Sequence, residues 1–255
     1  MFRKLLLSIT FSLLLILPTI AKQNRGLQDK LQRADSLYHN YQDNQALSIY
    51  QDVLQQDSSV YVAVWRSSFL YARIGNRFDS KEKKKQYFKK SEKLAHKALQ
   101  MKPDDAESNF VMAVAMGRMA LISGPKDRVA ASREIKKYAE KAARLDPQHS
   151  GAWHVLGRWN LEVANLNFAE RMAANLLFGG IPEASNEKAV QYLQKAVSLR
   201  PDFILYRYDL AQAYEKVGKE EKARDILVKA LTLKPKTEDD PETLKKCQKM
   251  LNRLQ

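Results

Sequence analysis

Cysteine is nearly missing from this chain: Cys247 is the only one among 255 residues. No intrachain disulfide can form, so the fold must be held by packing alone. Glycine and proline are also scarce, at nine and eight, while the good helix formers Ala, Leu, Lys, Gln and Glu abound. No stretch shows sustained period-two alternation of Val, Ile and Thr. The expected class is therefore all-α. The four histidines are His39, His96, His149 and His154. Only the last two lie close in sequence, five apart, on different faces of a helix. With no HExxH and no clustered carboxylates, neither a metal site nor a cofactor is expected. G-x-S-x-G, phosphate-cradling glycine loops and dinucleotide fingerprints are absent as well. The pair Gly179-Gly180 alone is a weak signal. Cys247 has no activating neighbour in sequence and reads as a bland surface or cap residue. A non-catalytic protein is expected.

Acidic residues are outnumbered, 29 Asp+Glu against 43 Lys+Arg, for a formal charge of +14. Such a balance suits nucleic acid, anionic lipid or an acidic protein partner. No zinc-finger, RNP or basic-zipper pattern accompanies it, so nucleic acid is not the expected partner. The densest basic run, Lys81 to Lys93, holds seven lysines against Glu82 and Glu92. It reads first as a solvated helix face, with peripheral contact to an anionic membrane left open.

The chain has one long apolar run, Leu5 to Ile20, preceded by Arg3 and Lys4 and followed by Ala21 and the polar segment Lys22 to Gly26. A positive start, an apolar middle and a small residue at the end make a secretory signal peptide, with cleavage expected after Ala21. An uncleaved N-terminal membrane anchor is the alternative. The run is short of the roughly 20 residues a spanning helix needs, and Pro18 interrupts it. No cysteine stands near the cleavage point to carry a bacterial lipid anchor. The expected location is periplasmic or secreted.

Internal repetition organises the rest. Helix-stopping prolines recur at Pro103, Pro147, Pro201 and Pro235, with a weaker stop at Ser58. Five residues before each stop stand Val53, Ala98, Ala142, Ala196 and Ala230. Twelve before stand Ala46, Ser91, Ile135, Ala189 and Ala223. Ten after stand Ser68, Ala113, Gly157 and Ala211. Mostly small residues at three fixed offsets let paired antiparallel helices approach closely, with Tyr50, Leu193 and Leu227 filling the gaps between. Trp153-x-x-Leu156-Gly157 resembles the opening signature of the tetratricopeptide (TPR) repeat. Ala223-x-x-x-Leu227-x-x-Ala230-x-x-x-x-Pro235 resembles its second helix. The expected architecture is a right-handed TPR-like α-solenoid of about five helix pairs, over residues 27–60, 61–105, 106–149, 150–203 and 204–237. Asp240-Pro241-Glu242 opens a C-terminal capping helix, 240–254, with Asp240 as its cap. Stops lie 45, 44, 54 and 34 residues apart, so the extra residues fall between first and second helices: 76–86, 123–132 and 165–185. The repeat domain spans 22–255.

Residues 153–190 carry a narrower resemblance. Leu156-Gly157-Arg158-Trp159, Val163-Ala164, Phe168-x-Glu170-Arg171-x-x-Ala174-x-x-Leu177-Phe178, Pro182 and Ser185-x-Glu187-x-Ala189 resemble the regulator of microtubule dynamics family. The family pattern has Trp at Phe168, Arg at Met172 and Pro at Ile181. The resemblance implies a helical-repeat fold and a link to microtubules and organelle membranes. The export signal points instead to an envelope-located relative.

In a TPR solenoid the first helix of each pair lines the concave face. At seven, eleven and fifteen residues past each stop, the candidate groove residues are Trp65, Phe69, Arg73, Phe110, Arg118, His154, Arg158, Tyr208 and Gln212, joined by Val114, Glu162 and Lys216. Steps of four keep each set on one stripe. Aromatics with Arg are what interface hot spots favour, although the aromatic members also suit packing between repeats. A carboxylate clamp needs Asn eight past the stop, where Arg66, Val111, Val155 and Asp209 stand, so capture of a chain terminus in that manner is not expected. Insertion 165–185, with Phe168, Arg171, Met172 and Phe178, either packs on the solenoid, plugs the groove as a lid, or presents an apolar patch. Glu170 reads as a partner of Arg171. The leading expectation is an exported scaffold holding a protein or peptide partner in the groove. Its alternatives are a carrier of an apolar ligand or lipid, and a microtubule-associated adaptor.

Overall fold

The computed structural model describes residues 25–178, 180 and 183–255. The expected signal peptide and its cleavage point lie outside the described residues. Within them the chain is helical, with no strand. The helices are α1 (residues 25–39), α2 (Asp43–Gln56), α3 (Tyr61–Asn76), α4 (Lys81–Met101), α5 (Ala106–Ile122), α6 (Pro125–Leu145), α7 (Ser150–Ala164), α8 (Phe168–Phe178), α9 (Asn186–Leu199), α10 (Ile204–Lys216), α11 (Glu220–Leu231) and α12 (Asp240–Leu254). No described helix is long and apolar enough to cross a membrane.

Pairs form as α3 with α4, α5 with α6, α7 with α9 and α10 with α11, and α12 closes against α10 and α11. First helices also touch one another, α3 to α5 to α7 to α10, and so make an inner layer. The small-residue offsets explain the pairing. Ala46, Ser68, Ser91, Ala98, Ala113, Ala142, Ala189, Ala196, Ala211, Ala223 and Ala230 have no exposed surface. At Gly157 a Cβ would stand 2.5 Å from Leu193 Cγ, so α7 and α9 meet there too closely for any side chain. Apolar packing runs almost continuously from α1 to α12 and ends on Cys247, Met250, Leu251 and Leu254. Cys247 is therefore fully buried rather than at the surface, and burial pushes its thiol up to about 11.

The extra residues between paired helices take two forms. In the second and third pairs they lengthen the outer helices α4 and α6 at their N-terminal ends, with Ser80 and Gly124 at the caps and Pro125 opening α6. In the fourth pair they form α8, which packs on α6. The capping helix begins as expected, except that Asp239 is its cap residue. Asp240 instead turns back, its carboxylate accepting from the N–H groups of Lys236 and Thr237 at 2.8 Å each.

Among the described residues, Arg77 and Arg200 join distant parts of the chain. Arg77, just past α3, pairs with Asp239 and Glu238 at 2.8 and 2.9 Å. Arg200, which ends α9, donates to the Tyr41 hydroxyl between α1 and α2. The solenoid thus curls until its last connection meets its first repeats.

Candidate partner-binding face

The inner face divides into an aromatic half and a charged half. Tyr38 of α1 is the hub of the first, with its ring edge-on to those of Trp65 and Phe69 at centroid distances of 6.2 and 6.4 Å. Phe69 continues to Phe110 at 5.4 Å, and Phe110 to His149 at 4.5 Å. Trp65 and Phe110 keep only 8% and 7% of their surface, because they fill the seam where successive inner helices touch. Phe69 is half-buried against the same cluster. Burial pushes the Tyr38 hydroxyl up to about 12.

Arginines rim this cluster. Arg66 ion-pairs with Asp35 and donates to the Tyr50 hydroxyl at 2.8 Å, with its guanidinium 4.8 Å above the Tyr38 ring. Arg73 lies over the Phe69 ring at 5.1 Å and pairs with the fully buried Asp43, which Arg77 also contacts. A buried carboxylate between two guanidiniums is the arrangement in which a desolvated charge is compensated.

In the charged half the organiser is Asp209, 4% exposed on α10. It accepts from His154 Nε2 at 2.6 Å and from Arg158 Nη1 at 3.1 Å. Arg158 also donates to Gln212 Oε1 at 3.0 Å and pairs with Glu162. His154 is stacked on Tyr206, with centroids 4.4 Å apart. Tyr208 packs against the C-terminal core. Burial alone would raise the pKa of Asp209. Arg158, the hydrogen bond from His154 and the charge of Arg118 outweigh it and hold the carboxyl below its ordinary value. Asp209 in turn raises Arg158.

Arg118 differs from its neighbours. It is half-buried at the centre of the inner face and donates to Asn76 Oδ1 at 3.1 Å. Among the described ion pairs it has none. Loss of water around it, and then the like charge of Arg158, hold its guanidinium below the ordinary value, while Asp239 and Asp209 act only from a distance.

The structure thus brings Trp65, Phe69 and Phe110 together as packing, and Arg118, His154, Arg158 and Gln212 together as a polar surface, with Arg73 between. Sequence spacing missed the partners. Tyr38 lies in the first helix, which no stop precedes, and Asp43 lies at an offset from Ser58 that the small-residue pattern does not use. Asp209 stood at an offset read only for its lack of Asn. Nothing marks Glu238 and Asp239 as reaching across the molecule.

Insertion residues lie elsewhere. Asn167 and Glu170 form a reciprocal capping box, with N–H to carboxamide and carboxylate distances of 2.9 and 3.0 Å. Glu170, 6% exposed, pairs with Arg128 at 2.7 Å rather than with Arg171. Arg171 donates instead to the carbonyls of Ala164 and Leu166 and so closes the end of α7. These bonds seat α8 on the outer helix α6 and not over the inner face. Phe168 and Met172 are exposed. Phe178 ends α8, and its side chain lies outside the described residues. Among the described residues no cluster of His, Cys, Asp or Glu could hold a metal ion.

The profile of regulator of microtubule dynamics proteins 1–3 matches residues 30–255. The chain belongs to the regulator of microtubule dynamics family. It is 28% identical to regulator of microtubule dynamics protein 3 of Xenopus laevis over 226 residues, covering 87% of this chain and 48% of that one. With regulator of microtubule dynamics protein 1 of Mus musculus it shares 26% over 233 residues, covering 89% of this chain and 75% of that one. The chain spans about half the length of relatives such as the Xenopus protein. A thermophilic TPR protein of Thermus thermophilus superposes with a TM-score of 0.61 at 17% identity, covering 87% of this chain and 98% of the other. That likeness establishes the TPR-like fold of this family member.

Proposed function

We propose that this protein is an exported, non-catalytic scaffold whose inner face receives an acidic segment of a protein partner, anchored on Arg118. The TPR-like fold and the family support an interaction adaptor, and the single observation behind the finer reading is that Arg118, beside the like charge of Arg158, has no ion pair among the described residues. A half-buried guanidinium beside a like charge is stabilised by a carboxylate. A ligand carboxylate between Arg118 and Arg158 offsets the repulsion between them, and the planar fork of each guanidinium favours a bidentate grip.

The test is affinity selection of random peptides displayed on phage. The wild-type protein should enrich Asp- or Glu-containing sequences, and Arg118→Glu should not retain them. Arg118→Met separates binding from folding: the same peptides are lost, while the melting temperature holds or rises because the repulsion with Arg158 has gone. Enrichment without acidic residues, or equal binding by Arg118→Glu, sinks the reading.

The family match favours a second reading, an adaptor that regulates microtubule dynamics. Sequencing the N-terminus of the protein recovered from its own cells decides between them. A mature chain starting at Lys22 removes it from the cytoplasm and from microtubules. A retained N-terminus removes export from the first reading.

A further inference from the structure

Among the described side chains of helix α8, a charged one turns inward and large apolar ones turn outward. Its inward positions are Glu170 and Ala174, buried against α6, whereas Phe168, Met172 and Leu176 stand outward with 79%, 51% and 83% of their surface exposed. Steps of four place these three on one stripe. A soluble helix normally hides such a stripe. Here the capping box and the Glu170–Arg128 pair fix the rotation that displays it.

The surroundings are basic. Arg171 lies next to the stripe, and the N-terminal half of α6 carries Lys126, Arg128 and Arg133 against Asp127 and Glu134. Arg128 also borders a cleft of about 380 Å³ lined by Lys81, Lys84, Asp79 and Leu121, the last 49% exposed. Exposed apolar residues and cations therefore gather along one edge, where first helices turn into second helices.

We infer that this edge docks on an anionic lipid bilayer, with Phe168, Met172 and Leu176 entering the boundary between headgroups and acyl chains. The pattern is that of an interfacial helix: a short apolar stripe, insufficient alone, joined to cations that meet lipid phosphates. A second copy of the chain fits less well. Three side chains offer on the order of a few hundred Å², below the ~1,000 Å² of a stable protein interface. The inference is independent of the inner-face reading.

The experiment attaches an environment-sensitive NBD probe to Met172→Cys, since Cys247 is buried and does not compete. The full chain is used as recovered from cells. The probe reads α8 alone, so an N-terminal tether does not mimic the result. Vesicles of phosphatidylcholine with phosphatidylglycerol should brighten and blue-shift the probe, and salt should reverse the change. In sedimentation with the same vesicles, Phe168→Glu with Met172→Glu and Leu176→Glu should weaken binding at least about tenfold where no tether is retained. Where one is retained, Phe168→Glu and Leu176→Glu should abolish the probe response. All substituted positions are exposed, and circular dichroism checks the fold. A probe blind to vesicles, or equal response to pure phosphatidylcholine, overturns the inference. A concentration-dependent dimer that the glutamates dissolve overturns it too, and assigns the stripe to a second copy.

Discussion

Asp209 is the residue on which the charged half of the inner face depends. Its carboxylate is shared by His154 and Arg158, and Arg118 stands near. Asp209→Asn keeps the shape but leaves the cations to repel one another within a dry space. Breaking such a buried pair is expected to cost about 3–5 kcal/mol, read as a lower midpoint in urea. The pH dependence has a definite sign. The folded carboxyl lies below its unfolded value, near about 3.9, so the unfolded chain binds the extra proton. Stability from this group is complete above roughly pH 5 and is lost as pH falls through the folded value. Denaturation curves from pH 2 to 7 should show that loss in the wild type and a shallower one in Asp209→Asn. No single-sequence signal exposes this role. Asp209 stands among Tyr208, Leu210 and Ala211, and only the turn of α10 toward α7 reveals its partners.

Whole helices were more legible than single side chains. Recurrent prolines gave the ends of α4, α6, α9 and α11, and small residues at three offsets gave the faces that pair. Gly157 shows why that signal is strong. A methyl there would stand 2.5 Å from Leu193 Cγ and 3.2 Å from the Leu193 amide, the second of which side-chain rotation cannot relieve. Gly157→Ala is expected to force α7 and α9 apart and cost about 1–3 kcal/mol. Gly117→Ala has open space around it and should leave the melting temperature unchanged or slightly higher. The orientation of α8 was not legible, because an apolar stripe on a short helix looks the same whether it faces core or solvent. What turned it outward is Glu170, a residue whose bond to Arg128 spans 42 positions.

At the scale of the molecule, an ordinary solenoid has contacts only between neighbours. This one adds Arg77 to Asp239 and Glu238, and Tyr41 to Arg200, at separations near 160 residues. Asp239→Lys, with Glu238→Lys, should repel Arg77 and let the curl relax. Small-angle scattering should report a larger radius of gyration for this variant, and for the wild type in high salt, because exposed partners are screened. An unchanged radius would show that helix packing alone sets the curl. Repetition in sequence carries no record of such contacts, since they occur once and join unlike repeats. Their mechanical consequence is specific. Tension applied to the two ends of the repeat domain passes from Arg77 directly to Asp239 and bypasses most of the helices between, which stay slack until that latch gives way. The outermost helices, α1 to α3 and α12, would therefore yield first under load, and the middle of the domain only afterwards, in one release.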